Sequence, residues 1–160
     1  MSDGEKKVFL LIHGFSGTHY EMKPLEDFLK SKGYVTKNIT LPGHETNPKD
    51  MAKRSWIEWV DFAQNALDEL KREYEKVYVA GLSMGGSITL YLAAKNPDIA
   101  GIIPMAAAIE IPDKKAKILE LLPFLRYIIP WLPNIECGWE DEEAKEKHRC
   151  YKKFLSLIHI

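Results

Sequence analysis

The sequence predicts an α/β fold: a parallel sheet of about four strands flanked by helices. Three observations carry this expectation. Short continuous apolar runs, such as Val8 to Ile12 and Val77 to Ala80, have the makeup of strands buried on both faces. Segments with apolar residues at helical spacing separate these runs, and strands joined by helices pair in parallel through right-handed crossovers. Finally, Gly81-Leu82-Ser83-Met84-Gly85-Gly86 lies between an apolar run and the helix-like stretch Ser87 to Ala94, so Gly-x-Ser-x-Gly falls on a strand–turn–helix junction.

Each element follows from its own residues. Val8 to Ile12 is the first strand, and the glycine-bearing segment His13 to Gly17 is a loop. Glu21 to Lys32 reads as a helix with Met22, Leu25, Phe28 and Leu29 on one face and Gly33 as its stop. Tyr34 to Leu41 is the second strand, ended by Pro42-Gly43-His44, and Pro48 to Arg54 reads as a loop. Ser55 and Glu58 form a capping-box pattern at the head of the clearest helix. Its apolar stripe runs through Trp56, Trp59, Val60, Ala63, Leu67, Leu70 and Tyr74. Val77 to Ala80 is the third strand, the helix after Ser83 stops near Asn96-Pro97, and Ile99 to Ala107 is the fourth strand.

After Ile111 the pattern changes. Residues 112–160 show no convincing buried strand and read as several helices, rich in leucine, aromatic residues and charge. The run Leu119 to Ile135 is apolar, but Pro123, Arg126, Pro130 and Pro133 interrupt it, which argues against a span of about 20 apolar residues through a membrane. The expected organisation is one domain, with residues 1–111 as the α/β core and 112–160 as a helical segment. That segment is either a layer packed on the sheet or a cap over Ser83 that builds an apolar pocket.

Composition narrows the partners. With 22 basic and 23 acidic residues and a net charge of -1, nothing points to nucleic acid or to an anionic membrane surface. The polar start Met1 to Lys7 lacks a signal-peptide layout, and Cys137 and Cys150 have neither zinc nor redox-motif spacing. The expectation is a cytoplasmic protein with reduced thiols and no metal or organic cofactor.

Ser83 is the candidate nucleophile. A serine hydroxyl is inert until a base takes its proton, so it has to stand clear of the backbone. A tight strand-to-helix turn does this at the cost of crowding, which Gly81 and Gly85 relieve.

In their order and spacing, Leu11-Ile12-His13-Gly14-Phe15-Ser16-Gly17, Leu41-Pro42-Gly43-His44, the pair Trp56 and Trp59, and Gly81 to Gly86 resemble the α/β-hydrolase superfamily. More narrowly, they are similar to the small bacterial carboxylesterases and monoacylglycerol-lipase-like serine hydrolases, over about the first 110 residues. The resemblance implies hydrolysis of small acyl esters through an acyl-enzyme on Ser83. It implies an oxyanion hole made of the backbone N–H groups of Met84 and Phe15, with Gly14 and Gly17 letting the first loop approach the substrate. His13 would hold that loop by hydrogen bonds, His44 would pack or bond locally, and His19 would lie on a solvated loop. Residues 112–155 would be the family's helical cap, and its apolar residues, including Leu121, Phe124 and Trp131, suggest an apolar acyl group.

In this superfamily the triad runs in chain order serine, acid, histidine. After Ser83 come Asp98, Asp113, Asp141, His148 and His159, and none follows a buried strand pattern. The triad acid and histidine are therefore not identified. The expectation is a chain lacking the family's last strands, weak or inactive alone, with a fourth-strand edge or cap through which two copies could pair. Two alternatives stay open: a ligand-binding or interaction module without catalysis, and a half-enzyme completed by another polypeptide.

Overall fold

The computed structural model describes residues 6–109 together with 131–132 and 155–156. β1 (Lys7–Ile12) is one of the two inner strands of a four-stranded sheet. On one side it pairs in parallel with β2 (Val35–Ile39), Val8 opposite Val35 and Ile12 opposite Ile39. On the other it pairs with β3 (Lys76–Leu82), Val8 opposite Val77 and Ile12 opposite Gly81. β4 (Gly101–Met105) continues in parallel beyond β3, giving the order β2-β1-β3-β4.

Side-chain alternation along β1 divides the core. Val8, Leu10 and Ile12 face one layer with Leu41, Trp59, Leu67 and Leu92. Phe9 and Leu11 face the other with Met22, Leu29 and Ala80. The first layer holds α3 (Trp56–Glu73) and α4 (Met84–Lys95); the second holds α1 (Lys23–Ser31). Both faces of β1 are thus covered, which is why its sequence is apolar without interruption.

The capping box of α3 is present in full: Ser55 Oγ accepts from the Glu58 N–H at 3.3 Å, and the Glu58 carboxylate accepts from the Ser55 N–H at 2.7 Å. Gly33, at φ +82°, ends the α1 region as expected of a glycine stop.

Four local expectations need correction. The first helix does not run evenly from residue 21: a 3-10 turn (His19–Met22) capped by Thr18 precedes α1, where Pro24 occupies the first turn. Phe28 is 58% exposed, because Met22 and Leu29 already fill the space over β1 and the ring lies under the Lys32 ammonium instead. Pro48–Met51 is a short helix, α2, rather than loop, and buries Met51. Trp56 is 50% exposed at the first position of α3, before the helix axis closes on the sheet; Ala66 takes a place on the buried stripe.

The helices expected over residues 112–160 lie outside the described residues. At four positions there the chain is extended: β5 (Trp131–Leu132) pairs antiparallel with β6 (Leu155–Ser156). Pro130 and Pro133 flank Trp131–Leu132, and a residue before proline is pushed out of the helical region. Among the described residues, no helix is long and apolar enough to cross a membrane.

Candidate active site

From β1 the chain first builds β2 on one side, then returns to build β3 and β4 on the other. Two connections therefore diverge at the carboxyl ends of β1 and β3, leaving a crevice at this switch point. The loop after β1 carries His13 to Gly17, and the turn after β3 carries Ser83.

Ser83 has φ +53° and ψ −114°, a backbone conformation that L-residues avoid. Three main-chain bonds hold it there. Its N–H donates to Met105 O at 2.9 Å, and its carbonyl accepts from the Ser87 and Ala108 N–H groups at 3.1 and 3.4 Å. Its hydroxyl is not used to cap α4, so the side chain stays available.

The flanking glycines are fixed by contact. A β-carbon on Gly81 would fall on the Gly85 carbonyl and within 2.5 Å of Thr89 Oγ1. One on Gly85 would collide with the Ile12 carbonyl and lie 2.5 Å from that of His13. The start of α4 therefore rests on the end of β1 with no room for a methyl group. Gly85→Ala is expected to lower stability by about 3 kcal/mol, since backbone on both sides has to move. A denaturant titration showing a midpoint within error of wild type would contradict this close approach.

Gly14 brings the two connections together. A β-carbon there would meet Ser83 Cβ at 3.4 Å and Glu21 Oε2 at 3.3 Å. The N–H groups of Phe15 and Met84 have no hydrogen-bond partner among the described residues. Met84 opens α4, where the helix dipole favours negative charge. Its side chain, with Trp56, Trp59, Ser87 and Tyr91, lines an apolar groove of about 240 Å³.

Neither histidine beside the loop hydrogen-bonds to Ser83. His13 is fully buried, and its Nε2 accepts from the Leu41 N–H at 3.0 Å. Its Nδ1, 2.8 Å from Gly14 O, must then be the protonated nitrogen and donor. Both ring nitrogens are spent on hydrogen bonds that tie the β1 loop to the β2 loop. His44 donates from Nδ1 to Pro42 O at 3.3 Å, and its ring packs on those of His13 and Trp59, 4.7 and 5.4 Å between centroids. His19 is paired with Glu45, 2.5 Å from Nδ1 to Oε1. Asp98 is bound to Lys71 at the foot of β4, far from this crevice. The other aspartates and histidines after Ser83 lie outside the described residues. Among the described residues, no group of three or more His, Cys, Asp or Glu side chains could hold a metal ion.

Burial, with the adjacent His44 ring adding to it and the Gly14 carbonyl partly compensating, lowers the His13 pKa from 6.5 to about 4. Burial depresses His44 as well. Unfolding restores ordinary values, so between pH 6.5 and 4 the unfolded chain binds more protons than the folded one. Stability is therefore complete above about pH 6.5 and falls as pH drops toward 4, by roughly 3 kcal/mol for His13. Urea midpoints measured from pH 7 to 4.5 should fall steadily; a flat profile would refute the assignment.

Two contributors were not legible as site residues. The Glu21 carboxylate accepts from the Gly14 N–H at 2.9 Å, yet in sequence it is one acid at the start of a helix. Trp59 donates its indole N–H to Pro42 O at 2.9 Å and packs edge-on against Phe15, 5.7 Å between centroids. Its helical spacing shows that it is buried but not what it touches.

Comparison with known proteins agrees with this architecture. The family described as serine aminopeptidase, S33 (Hydrolase_4) matches residues 3–153. A thermostable monoacylglycerol lipase of Bacillus sp. (strain H-257) is 43% identical over 103 residues, 64% of this chain and 41% of the lipase. A carboxylesterase of Bacillus subtilis (strain 168) is 31% identical over 124 residues, 77% of this chain and 50% of that enzyme. A solved structure from work on the metagenome-derived lipolytic enzymes LipS and LipT superposes with a TM-score of 0.76 at 30% identity, covering 88% of this chain and 57% of its own. The chain thus spans about half the length of the curated relatives it matches. A parallel sheet with the β2-β1-β3-β4 order, a strained serine at the end of β3 and a family match over most of the sequence lead to one conclusion: the chain belongs to the Hydrolase_4 family of α/β-hydrolases.

Proposed function

We propose that this chain carries the nucleophile and oxyanion hole of a serine hydrolase acting on carboxylic esters. The observation that carries the reading is Ser83: a strained residue at the sheet's switch point, its hydroxyl unspent, beside a glycine loop. In the proposed reaction Ser83 Oγ attacks the acyl carbonyl carbon. The carbonyl oxygen becomes an oxyanion and accepts from the Phe15 and Met84 N–H groups, each worth about 3–4 kcal/mol in the transition state. Collapse expels the alcohol, which takes up the proton that left Ser83, and water then cleaves the acyl-enzyme.

No described histidine hydrogen-bonds to Ser83, and the triad acid and histidine stay unassigned. The apolar groove beside Met84 supports an ester with an apolar acyl or alcohol part, as do the names of the lipase and esterase relatives. The family's description names a peptidase, and paired substrates separate the two chemistries. A short p-nitrophenyl ester should be hydrolysed faster than an aminoacyl p-nitroanilide. A fluorophosphonate should label Ser83, located by peptide mass spectrometry. A folded protein that neither labels nor turns over ester would sink the hydrolase reading and favour the non-catalytic binder. Activity restored only by a second polypeptide would favour the half-enzyme.

A further inference from the structure

We propose that Glu21 is a positioning residue that sets the direction of the Phe15 N–H, an inference that rests on the oxyanion role given to that group. The loop is wrapped around the Glu21 carboxylate. Gly14 donates its N–H to Oε2 at 2.9 Å. A β-carbon on Gly17 would overlap the same carboxylate, so a side chain there would have to displace the Glu21 head group. Ser16 between them takes φ +55°, and Gly17 N–H closes the turn on Gly14 O at 3.2 Å.

The consequence for Phe15 follows from peptide geometry. The unit joining Gly14 to Phe15 is planar and trans, so its C=O and N–H point in opposite directions. The C=O is held by the His13 Nδ1–H at 2.8 Å and the Gly17 N–H. The preceding peptide unit is held through its N–H by Glu21. With both units flanking Gly14 pinned, the Phe15 N–H has one direction left to it. A carboxylate suits this task because a charged acceptor makes the stronger bond.

Glu21 is itself anchored. Thr18, almost fully buried, caps the 3-10 turn: its Oγ1 accepts from Tyr20 N–H at 3.3 Å and its carbonyl from Glu21 N–H at 3.1 Å. The loop is thereby referenced to the turn leading into α1 rather than to solvent.

The test compares Glu21→Ala and Glu21→Gln by the rate of fluorophosphonate labelling of Ser83 and by hydrogen exchange of the Gly14 amide, both on the full chain. Misplacing one donor by about 1 Å costs up to roughly 100-fold. Glu21→Ala should slow labelling at least about 10-fold at saturating probe, with little change in the concentration giving half-maximal rate, and should speed Gly14 exchange. Glu21→Gln keeps an acceptor oxygen and should label within about 3-fold of wild type with Gly14 still protected. Labelling of Glu21→Ala at the wild-type rate overturns the proposal. If that variant does not fold, Glu21→Gln decides alone: slow labelling with Gly14 protected would mean that charge, not positioning, is at work, and would also overturn it. If wild type itself does not label, the hydrolase reading fails separately. Gly14 exchange then decides whether Glu21 holds the loop, unchanged exchange in Glu21→Ala being the refuting result.

Discussion

Replacement of Ser83 by alanine is expected to abolish fluorophosphonate labelling and reduce ester turnover to background, the largest effect any single substitution should have. In a serine hydrolase with its whole triad, loss of the nucleophile costs about 10⁶ in kcat, which is the upper bound for this chain; binding and the oxyanion hole alone retain roughly 10³–10⁴ over water. The same site makes a second demand that separates chemistry from folding. Ser83 sits at φ +53°, a conformation costing an L-residue on the order of 1–3 kcal/mol. Alanine bears the same backbone penalty and should leave stability nearly unchanged. Glycine carries no such penalty, so Ser83→Gly should be equally inactive but more stable, by about 1 kcal/mol. A Ser83→Gly protein that unfolds at lower denaturant than wild type would show that the turn is not strained. Turnover surviving in Ser83→Ala would place the nucleophile elsewhere.

Trp59→Ala should produce the largest loss of stability. The side chain is 3% exposed, at the point where α3, the Pro42–His44 turn and the Phe15 loop meet. Truncating a buried tryptophan costs about 3–5 kcal/mol, a large part of the 5–15 kcal/mol that holds an ordinary domain together. For a chain of this length that is a drop of roughly 10 °C in melting temperature. Trp59→Phe fills most of the space but loses the indole donor to Pro42 O, and should cost about 1–2 kcal/mol. Labelling of Ser83 should slow in Trp59→Ala even well below its melting point, because the Phe15 ring loses a wall. Equal melting temperatures for wild type and Trp59→Ala, read by circular dichroism, would remove Trp59 from the core.

Most of the layer structure was legible because it depends on local rules. A short unbroken apolar run such as Val8 to Ile12 fits a strand covered on both faces, which is what β1 is. Ser55 with Glu58 marks a helix start through bonds spanning three residues. Gly-x-Ser-x-Gly between strand and helix marks a crowded turn, and the collisions a β-carbon would make at Gly81 and Gly85 are that crowding in coordinates. Where local rules compete with packing, the reading slipped. Trp56 and Phe28 fit the helical spacing yet stand half or more exposed, since spacing fixes the angle around a helix axis and not how far the axis lies from the sheet.

The sequence by itself determined the strand–helix alternation, the position of Ser83 at the end of a buried strand, and the need for glycine on either side of it. Each of these rests on residues within a few positions of one another. Only the tertiary structure decided which distant groups meet. It places the Glu21 carboxylate on the Gly14 N–H, spends both nitrogens of His13 between Gly14 and Leu41, and sets Trp59 against Phe15 and His44. Apart from the His13–Gly14 bond, these contacts join residues between 7 and 44 positions apart in the chain. No local periodicity encodes them, because they exist only once β1 pairs with β2 and β3 and the loops at the strand ends are brought side by side.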